Sequence, residues 1–221
     1  MKIGLFGGTF DPIHLGHLRA IKEVSERFGL SKTHLIPAAL PPHKPNRDIA
    51  TAKDRLEMIR LAVGSMAEFE ISDIELNRSG PSYTIDTLKH FMAKTSATDQ
   101  TYLIMGLDAF LEIDTWKAYL EIFKIVPVII MARPAVGAVC TRSPWDKVAD
   151  FIGRKISAHY SISDMEARHS SDEYQAIHFI DVSLLDISGT RIRDFMRQGK
   201  SIRFLVPQKV ELYIRQQGLY Q

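Results

Sequence analysis

Two histidines three residues apart, His14 and His17, stand in the run Gly7-Gly8-Thr9-Phe10-Asp11-Pro12-Ile13-His14-Leu15-Gly16-His17. The run follows a short apolar stretch, Ile3 to Phe6, that reads as a strand, and it leads into a helical pattern. Paired glycines let a backbone approach an anion closely, and a helix N-terminus points unbonded N–H groups at it. At a spacing of three, both imidazoles lie on one side of the first helical turn and can reach one ligand. A phosphate suits that set. A glycine turn alone is most often only a turn, and a single histidine is more often a hydrogen-bonded core residue. Two histidines in a glycine-bracketed turn beside Thr9 and Asp11 reverse that reading.

A second constellation lies far down the chain, at Ile187-Ser188-Gly189-Thr190-Arg191-Ile192-Arg193. Ser188 is placed to cap the helix that follows. On a helical wheel Thr190, Arg193 and Arg197 share one face, and Ile192, Phe195 and Met196 share the opposite, core-facing one. A hydroxyl, guanidinium groups and a helix start together suit a polyphosphate. Without Ser188 and Thr190 the arginines would read as a solvated helix face. Lys44, in the proline loop Pro41-Pro42-His43-Lys44-Pro45, could supply a further positive charge.

These groups need a frame, and the chain alternates strands with helices. Leu18, Ile21, Val24 and Phe28 recur at helical spacing until Gly29. A second strand runs from His34 to Ala38, and a helix carries Leu56, Ile59, Val63 and Met66. Phe69 to Leu76 reads as extended chain. After the turn Ser79-Gly80-Pro81-Ser82 comes a helix with Ile85, Leu88 and Met92. Tyr102 to Met105 is a central strand broken by Gly106, and a mixed helical region with Phe110, Ile113 and Trp116 continues to about Lys124. Val126 to Met131 is the most apolar strand, as expected if a parallel sheet buries it on both faces. Residues 133–175 are the least readable, with one helix expected from Pro144 to about Arg154. Ile177 to Asp181 is a last strand. Two closing helices follow, Thr190 to Arg197 and Pro207 to Gln217, expected to pack as a subdomain over about 188–218 of a single 1–221 domain.

Strands joined by helical crossovers predict an α/β fold, a Rossmann-like open, mostly parallel sheet with helices on both faces. In such sheets ligands bind beyond the carboxyl ends of the strands, where strand order reverses. Gly7-Gly8, Pro37 to Lys44, Gly106 to Asp108 and the stretch after Asp181 should therefore converge on one crevice.

Composition narrows the class. The 221 residues are 45% hydrophobic and 24% charged with a formal net charge of +2, and the basic residues are dispersed among acidic ones, which argues against a nucleic-acid stripe. Cys140 is the only cysteine, so no intrachain disulfide framework exists and a reducing cytoplasm is the expected compartment. The opening apolar run is too short for a signal-peptide core. The longest one, Ile125 to Ala132, contains Pro127 and falls short of a membrane span. No membrane association is expected, and a homo-oligomer is compatible with the sequence. His43, His90, His159, His169 and His178 show no metal-ligand spacing.

The run from Gly7 to His17 resembles the H-x-G-H signature of the nucleotidyltransferase superfamily, and Ile187 to Arg193 is similar to its I-S-x-T-x-x-R partner motif. Within that superfamily the chain resembles the bacterial nicotinate-nucleotide adenylyltransferase family. The likeness extends to Pro41-Pro42-His43-Lys44, to Pro81 through Leu88, to Gly106-Leu107-Asp108, Asp114-Thr115-Trp116 and Arg133-Pro134, and to Leu205-Val206-Pro207 through Tyr220. It departs at Gly189, where the family often has serine or alanine, and after Pro134, where the chain does not align.

The resemblance implies adenylyl transfer from ATP to nicotinate mononucleotide, giving nicotinate adenine dinucleotide and pyrophosphate in NAD biosynthesis. Mg²⁺ would ride on the ATP phosphates, with no metal ligands from the protein. By the same resemblance His14, His17 and Arg193 are catalytic, with His17 at the transition state. ATP would be held by Gly7, Gly8, Thr9, Phe10, His14, His17, Lys44, Ser188, Thr190 and Arg193. Nicotinate mononucleotide would be held by Lys44, Tyr83, Thr84, Asp108 and Trp116, the indole stacking on the pyridinium. Trp116 by itself would read as core, and Asp108 could equally cap the helix it begins. Three alternatives stand beside this reading: an adenylyltransferase for the amidated mononucleotide, a phosphopantetheine adenylyltransferase, and a nucleotide-binding regulator without turnover.

Overall fold

The computed structural model describes residues 1–39, 49–64, 66–96, 98–132, 144–163, 168–170, 172–183 and 185–221. Strand β1 (Lys2–Gly8) feeds α1 (Leu15–Phe28), and β2 (Lys32–Pro37), α2 (Ala52–Val63) and β3 (Phe69–Ile71) follow. Next come α3 (Thr84–Lys94), β4 (Gln100–Gly106), α4 (Leu107–Leu111), a 3-10 turn at Ile113–Thr115, α5 (Tyr119–Ile125) and β5 (Val128–Ala132). The chain closes with α6 (Pro144–Lys155), β6 (Ser161–Ser163), β7 (Arg168–Ser170), β8 (Ile177–Asp181), α7 (Gly189–Arg197) and α8 (Gln208–Gln216).

The strands form one sheet in the order β3-β2-β1-β4-β5-β8-β7-β6. From β3 to β8 all pairings are parallel, and β7 and β6 add antiparallel at the far edge. The expected mostly parallel, Rossmann-like sheet is thus present. The hairpin of β6 and β7 comes from the stretch the sequence left unread, because strands of three residues are too short to show alternation. The reversal of strand order lies between β1 and β4, so the crevice opens at their carboxyl ends.

Side chains alternate across the sheet and give it two cores. Phe6, Leu35, Ile104, Ile129 and Ile180 face one way, into a cluster with Ile21 and Val24 of α1, Met58 and Ile59 of α2, Ile192 of α7 and Val210 and Ile214 of α8. Leu5, Ile36, Leu103, Met105, Val128, Ile130 and Phe179 face the other way, into α3, α4, α5 and α6. The period-two switch between Leu5 and Phe6 therefore splits the end of β1 between two compartments.

Local signals account for most helix limits. Gly29 ends α1 in the left-handed conformation at φ 61°, which glycine adopts without a Cβ penalty, and its N–H caps the Glu26 and Ser25 carbonyls. Thr51 caps α2 through its hydroxyl. The mixed region after Gly106 is three short pieces, because Trp116 and Ala118 leave helical dihedrals and Ala118 takes φ 52°. β5 starts two residues later than the apolar run suggests, since Val126 closes α5 and Pro127 has no N–H to donate. Among the described residues no helix is long and apolar enough to cross a membrane.

Candidate active site

At the end of β1 the chain turns through Gly7 to Pro12, with Phe10 left-handed at φ 49° and a cis bond between Asp11 and Pro12. His14 lies just outside α1 rather than within its first turn. It is the N-cap, in extended conformation, and its Nδ1 accepts the His17 N–H at 3.2 Å. The His17 ring stacks on the His14 ring with centroids 3.6 Å apart and planes 16° from parallel, so the two imidazoles do share one location. Behind them the buried Phe10 ring meets the edge of His17 at 5.4 Å. Phe10 can thus offer a ligand its backbone while its ring braces the histidine.

The start of α7 faces this loop. Ser188 caps α7 by accepting the Arg191 N–H at 3.2 Å. Neither α1 nor α7 carries an acidic residue in its first turn, so no side-chain charge cancels either positive helix end, although at α1 the Leu15 N–H already donates to the Leu205 carbonyl at 3.0 Å and the His17 N–H to His14. The Arg193 Nη1 donates to the Asp11 carbonyl at 2.6 Å, and Nη2 contacts the exposed Thr190 hydroxyl at 3.3 Å. The Arg193 side chain is only 14% exposed, and its Nε is buried with no hydrogen-bond partner among the described residues.

Underneath lies a hub the sequence reading did not assign. Asp11 is buried; its Oδ1 accepts the Ala50 N–H at 3.0 Å and the Tyr220 hydroxyl at 2.6 Å, while Oδ2 stands 3.4 Å from Arg193 Nη1. Arg55, 1% exposed, donates to the carbonyls of Ala50, Thr9 and Ala39 at 3.1, 2.8 and 3.2 Å, tying together the loops after β1 and β2. Burial lowers the Arg55 pKa from its usual value, and Asp11 opposes that shift. Burial also raises the Tyr220 pKa, reinforced by the Asp11 charge and hydrogen bond, so the phenol stays protonated as a donor. A signal for Arg55 existed: it shares the stripe of Met58, Ile59 and Ala62 on α2, a charged residue on a buried face. Tyr220 stood out only as the end of the stretch that carries the family likeness, and no local signal tied it to a partner 209 residues away.

On the other face of β1 a cavity of about 340 Å³ opens, lined by Gly7, Gly8 and Thr9, by Ile36 and Ala38, by Ser82, Tyr83 and Thr84, by Met105 and Gly106, and by Trp116. Its size is that of a small-molecule site. Trp116 is half-buried, held by its backbone N–H on the Ile113 carbonyl, and it both packs against the second core and lines the cavity as a wall. Thr84 is the first residue of α3, whose opening N–H groups lie at the cavity and suit a carboxylate. Ser82 accepts the Ala39 N–H at 2.9 Å, joining this helix start to the loop after β2. Lys117 stands 4.6 Å over the Tyr83 ring and pairs with Asp86 at 3.1 Å. Glu75, a buried carboxylate in the cavity wall, accepts the Thr87 hydroxyl at 2.7 Å. It lies in a stretch read only as extended chain, and nothing in the sequence marks it as buried.

Of the residues singled out earlier, Gly7, Gly8, Thr9, Phe10, His14, His17, Ser188, Thr190 and Arg193 gather at the β1 end, with Tyr83, Thr84 and Trp116 across the sheet from most of them. Asp108 is exposed in the first turn of α4, whose N-cap is Gly106 with no side-chain cap, so it does not cap that helix. Lys44 lies outside the described residues, as do His43 and Cys140.

Comparison with known proteins gives the chain its relatives. The cytidylyltransferase-like family model matches residues 5–195. A Desulfatibacillum aliphaticivorans protein named "probable nicotinate-nucleotide adenylyltransferase" is 45% identical over 221 residues, covering 100% of both chains. A Geotalea uraniireducens protein of the same name is 40% identical, covering 100% of this chain and 98% of its own. Among solved structures, the Plasmodium falciparum nicotinic acid mononucleotide adenylyltransferase complexed with NaAD superposes with a TM-score of 0.72 at 18% identity, covering 99% of this chain and 97% of that one. That likeness is one of fold.

Proposed function

We infer that this chain, which belongs to the cytidylyltransferase-like family of nucleotidyltransferases, transfers the adenylyl group of ATP to nicotinate mononucleotide, releasing pyrophosphate in NAD biosynthesis. One observation supports the assignment of residues: the stacked His14–His17 pair, which we read as the anion site, and a cavity walled by Trp116 meet at the single end of β1. We read residues 1–221 as one nucleotidyltransferase unit, and its sole cysteine suits a reducing cytoplasm.

The mononucleotide's 5′-phosphate oxygen attacks the α-phosphorus of ATP, a P–O bond forms, and the bond to the pyrophosphate oxygen breaks. No protein nucleophile is required, so catalysis rests on alignment and charge stabilisation. Because His14 accepts a proton donor at Nδ1, its Nε2 carries the hydrogen and can donate to a phosphate oxygen. His17, stacked on it and braced by Phe10, is the residue we assign to charge developing at the α-phosphate. The β- and γ-phosphates fall to Arg193, Thr190 and the start of α7, supported by the absence of acid there. Thr84 and the first N–H groups of α3 receive the nicotinate carboxylate, Trp116 stacks on the ring, and Asp108 reaches a ribose. Lys44 we keep as a phosphate contact on the resemblance alone.

Among the described residues no group of three or more His, Cys, Asp or Glu is arranged to hold a metal. Enzymes of this kind use a divalent ion with ATP; we assign Mg²⁺, which would be carried on the phosphates and would neutralise their charge. The test compares acceptors. Purified protein with ATP and Mg²⁺ should release pyrophosphate with nicotinate mononucleotide and far less with nicotinamide mononucleotide or phosphopantetheine. Preference for the amide would move the assignment to that sister activity, and ATP binding with no release from any acceptor would favour a regulator.

A further inference from the structure

Two tyrosines of the closing segment donate their hydroxyls to aspartates, at two different places in the fold. Tyr213 on α8 donates to Asp54 at 2.9 Å, joining α8 to the start of α2. Tyr220, past α8 and left-handed at φ 63°, turns back and donates to Asp11 at 2.6 Å, inside the hub beneath the histidine loop. There Asp11 presents Arg193 with two acceptors: its carbonyl, taken at 2.6 Å, and its carboxylate Oδ2, looser at 3.4 Å. Oδ1 is already claimed by Tyr220 and by the Ala50 N–H, which leaves Oδ2, without a hydrogen bond among the described residues, as the carboxylate oxygen beside Arg193. A planar guanidinium beside an unclaimed carboxylate closes into a two-bond pair that competes with any phosphate.

We propose that Tyr220 is a positioning residue for ATP, acting through Asp11 to hold Arg193 on a backbone carbonyl and away from a closed ion pair, so that the guanidinium stays available to the triphosphate. Gly189 fits this arrangement. A Cβ there would come within 2.7 Å of the Asp11 carbonyl oxygen and 3.4 Å of Arg193 Nη1, so a side chain would push the start of α7 off the contact. The proposal rests on the adenylyl-transfer reading above.

The experiment uses full-length protein carrying Tyr220→Phe, with Tyr213→Phe as its matched control, and measures steady-state constants for both substrates and calorimetric ATP affinity. Tyr220→Phe should raise the ATP KM and Kd roughly ten-fold, the size expected for a hydrogen bond to a charged group, and leave the nicotinate mononucleotide KM within about two-fold. Tyr213→Phe should lower the thermal midpoint and leave both KM values unmoved. Because Tyr220 works through Arg193, adding Tyr220→Phe to an Arg193→Ala protein should produce no further loss of ATP affinity. An unchanged ATP KM, an equal rise for both substrates, or additive losses in the double variant would each overturn the proposal. Should the wild type make no dinucleotide, the functional reading fails, while calorimetric ATP binding by the same variants still decides the role of Tyr220.

Discussion

The histidine side and the Trp116 side of the crevice share the end of β1 and face opposite cores, and they are built from different materials. On the histidine side the polar groups form a cross-linked hub: Asp11 joins four segments, Arg55 ties the loop after β1 to the loop after β2, and His14 caps the helix that carries His17. On the Trp116 side the exposed wall is mostly apolar, with polar groups such as Ser82, Thr84 and Glu75 set into it, and a cavity of about 340 Å³ stands open. The difference suits the ligands proposed for the two sides. A triphosphate is one fixed pattern of charge, and stabilising its transition state requires donors held in place before it arrives. An aromatic acceptor is chosen by shape, stacking and one or two donors. Chemistry should thus be lost on the first side and substrate choice on the second.

That division can be broken by experiment. The largest effect is expected from His17→Ala, which should cut kcat by roughly 10² to 10³ with a much smaller change in calorimetric ATP affinity, as for loss of a transition-state donor. Equal losses in both would make His17 a ground-state ligand. Next, Trp116→Ala should raise the nicotinate mononucleotide KM by roughly ten-fold, the scale of a desolvated cation–π contact, and leave the ATP KM unmoved. A rise in the ATP KM instead would show that the two sides are not separable. Smaller still, Gly189→Ala should weaken ATP a few-fold, on the order of 1 kcal/mol, as the helix start backs away from Asp11. If this variant alters the mononucleotide KM, the compartment boundary at β1 is misplaced.

How far the sequence disclosed these two sides depends on how local their signals are. The histidine loop and Ser188-Gly189-Thr190 were legible because glycine spacing, capping and helical period act within a few residues, and the crossover rule then brought them to one sheet end. Trp116 became legible only through the family likeness, since an isolated tryptophan reads as core. The hub was not legible: Tyr220 and Asp11 are 209 residues apart, and Arg193 and Asp11 182 apart. Glu75 escaped for the same reason, as its burial is decided by α3 packing over it. The β6–β7 hairpin escaped because three-residue strands show no period.

The central claim, that the chain carries out one adenylyl transfer between ATP and nicotinate mononucleotide, is tested most directly by following the phosphorus atoms. With nicotinate mononucleotide and ATP labelled at the α-phosphorus, the label should enter the dinucleotide. With γ-labelled ATP it should leave in pyrophosphate, and only when the mononucleotide is present. Label from the γ-position on the mononucleotide, or pyrophosphate released without any acceptor, would contradict the account.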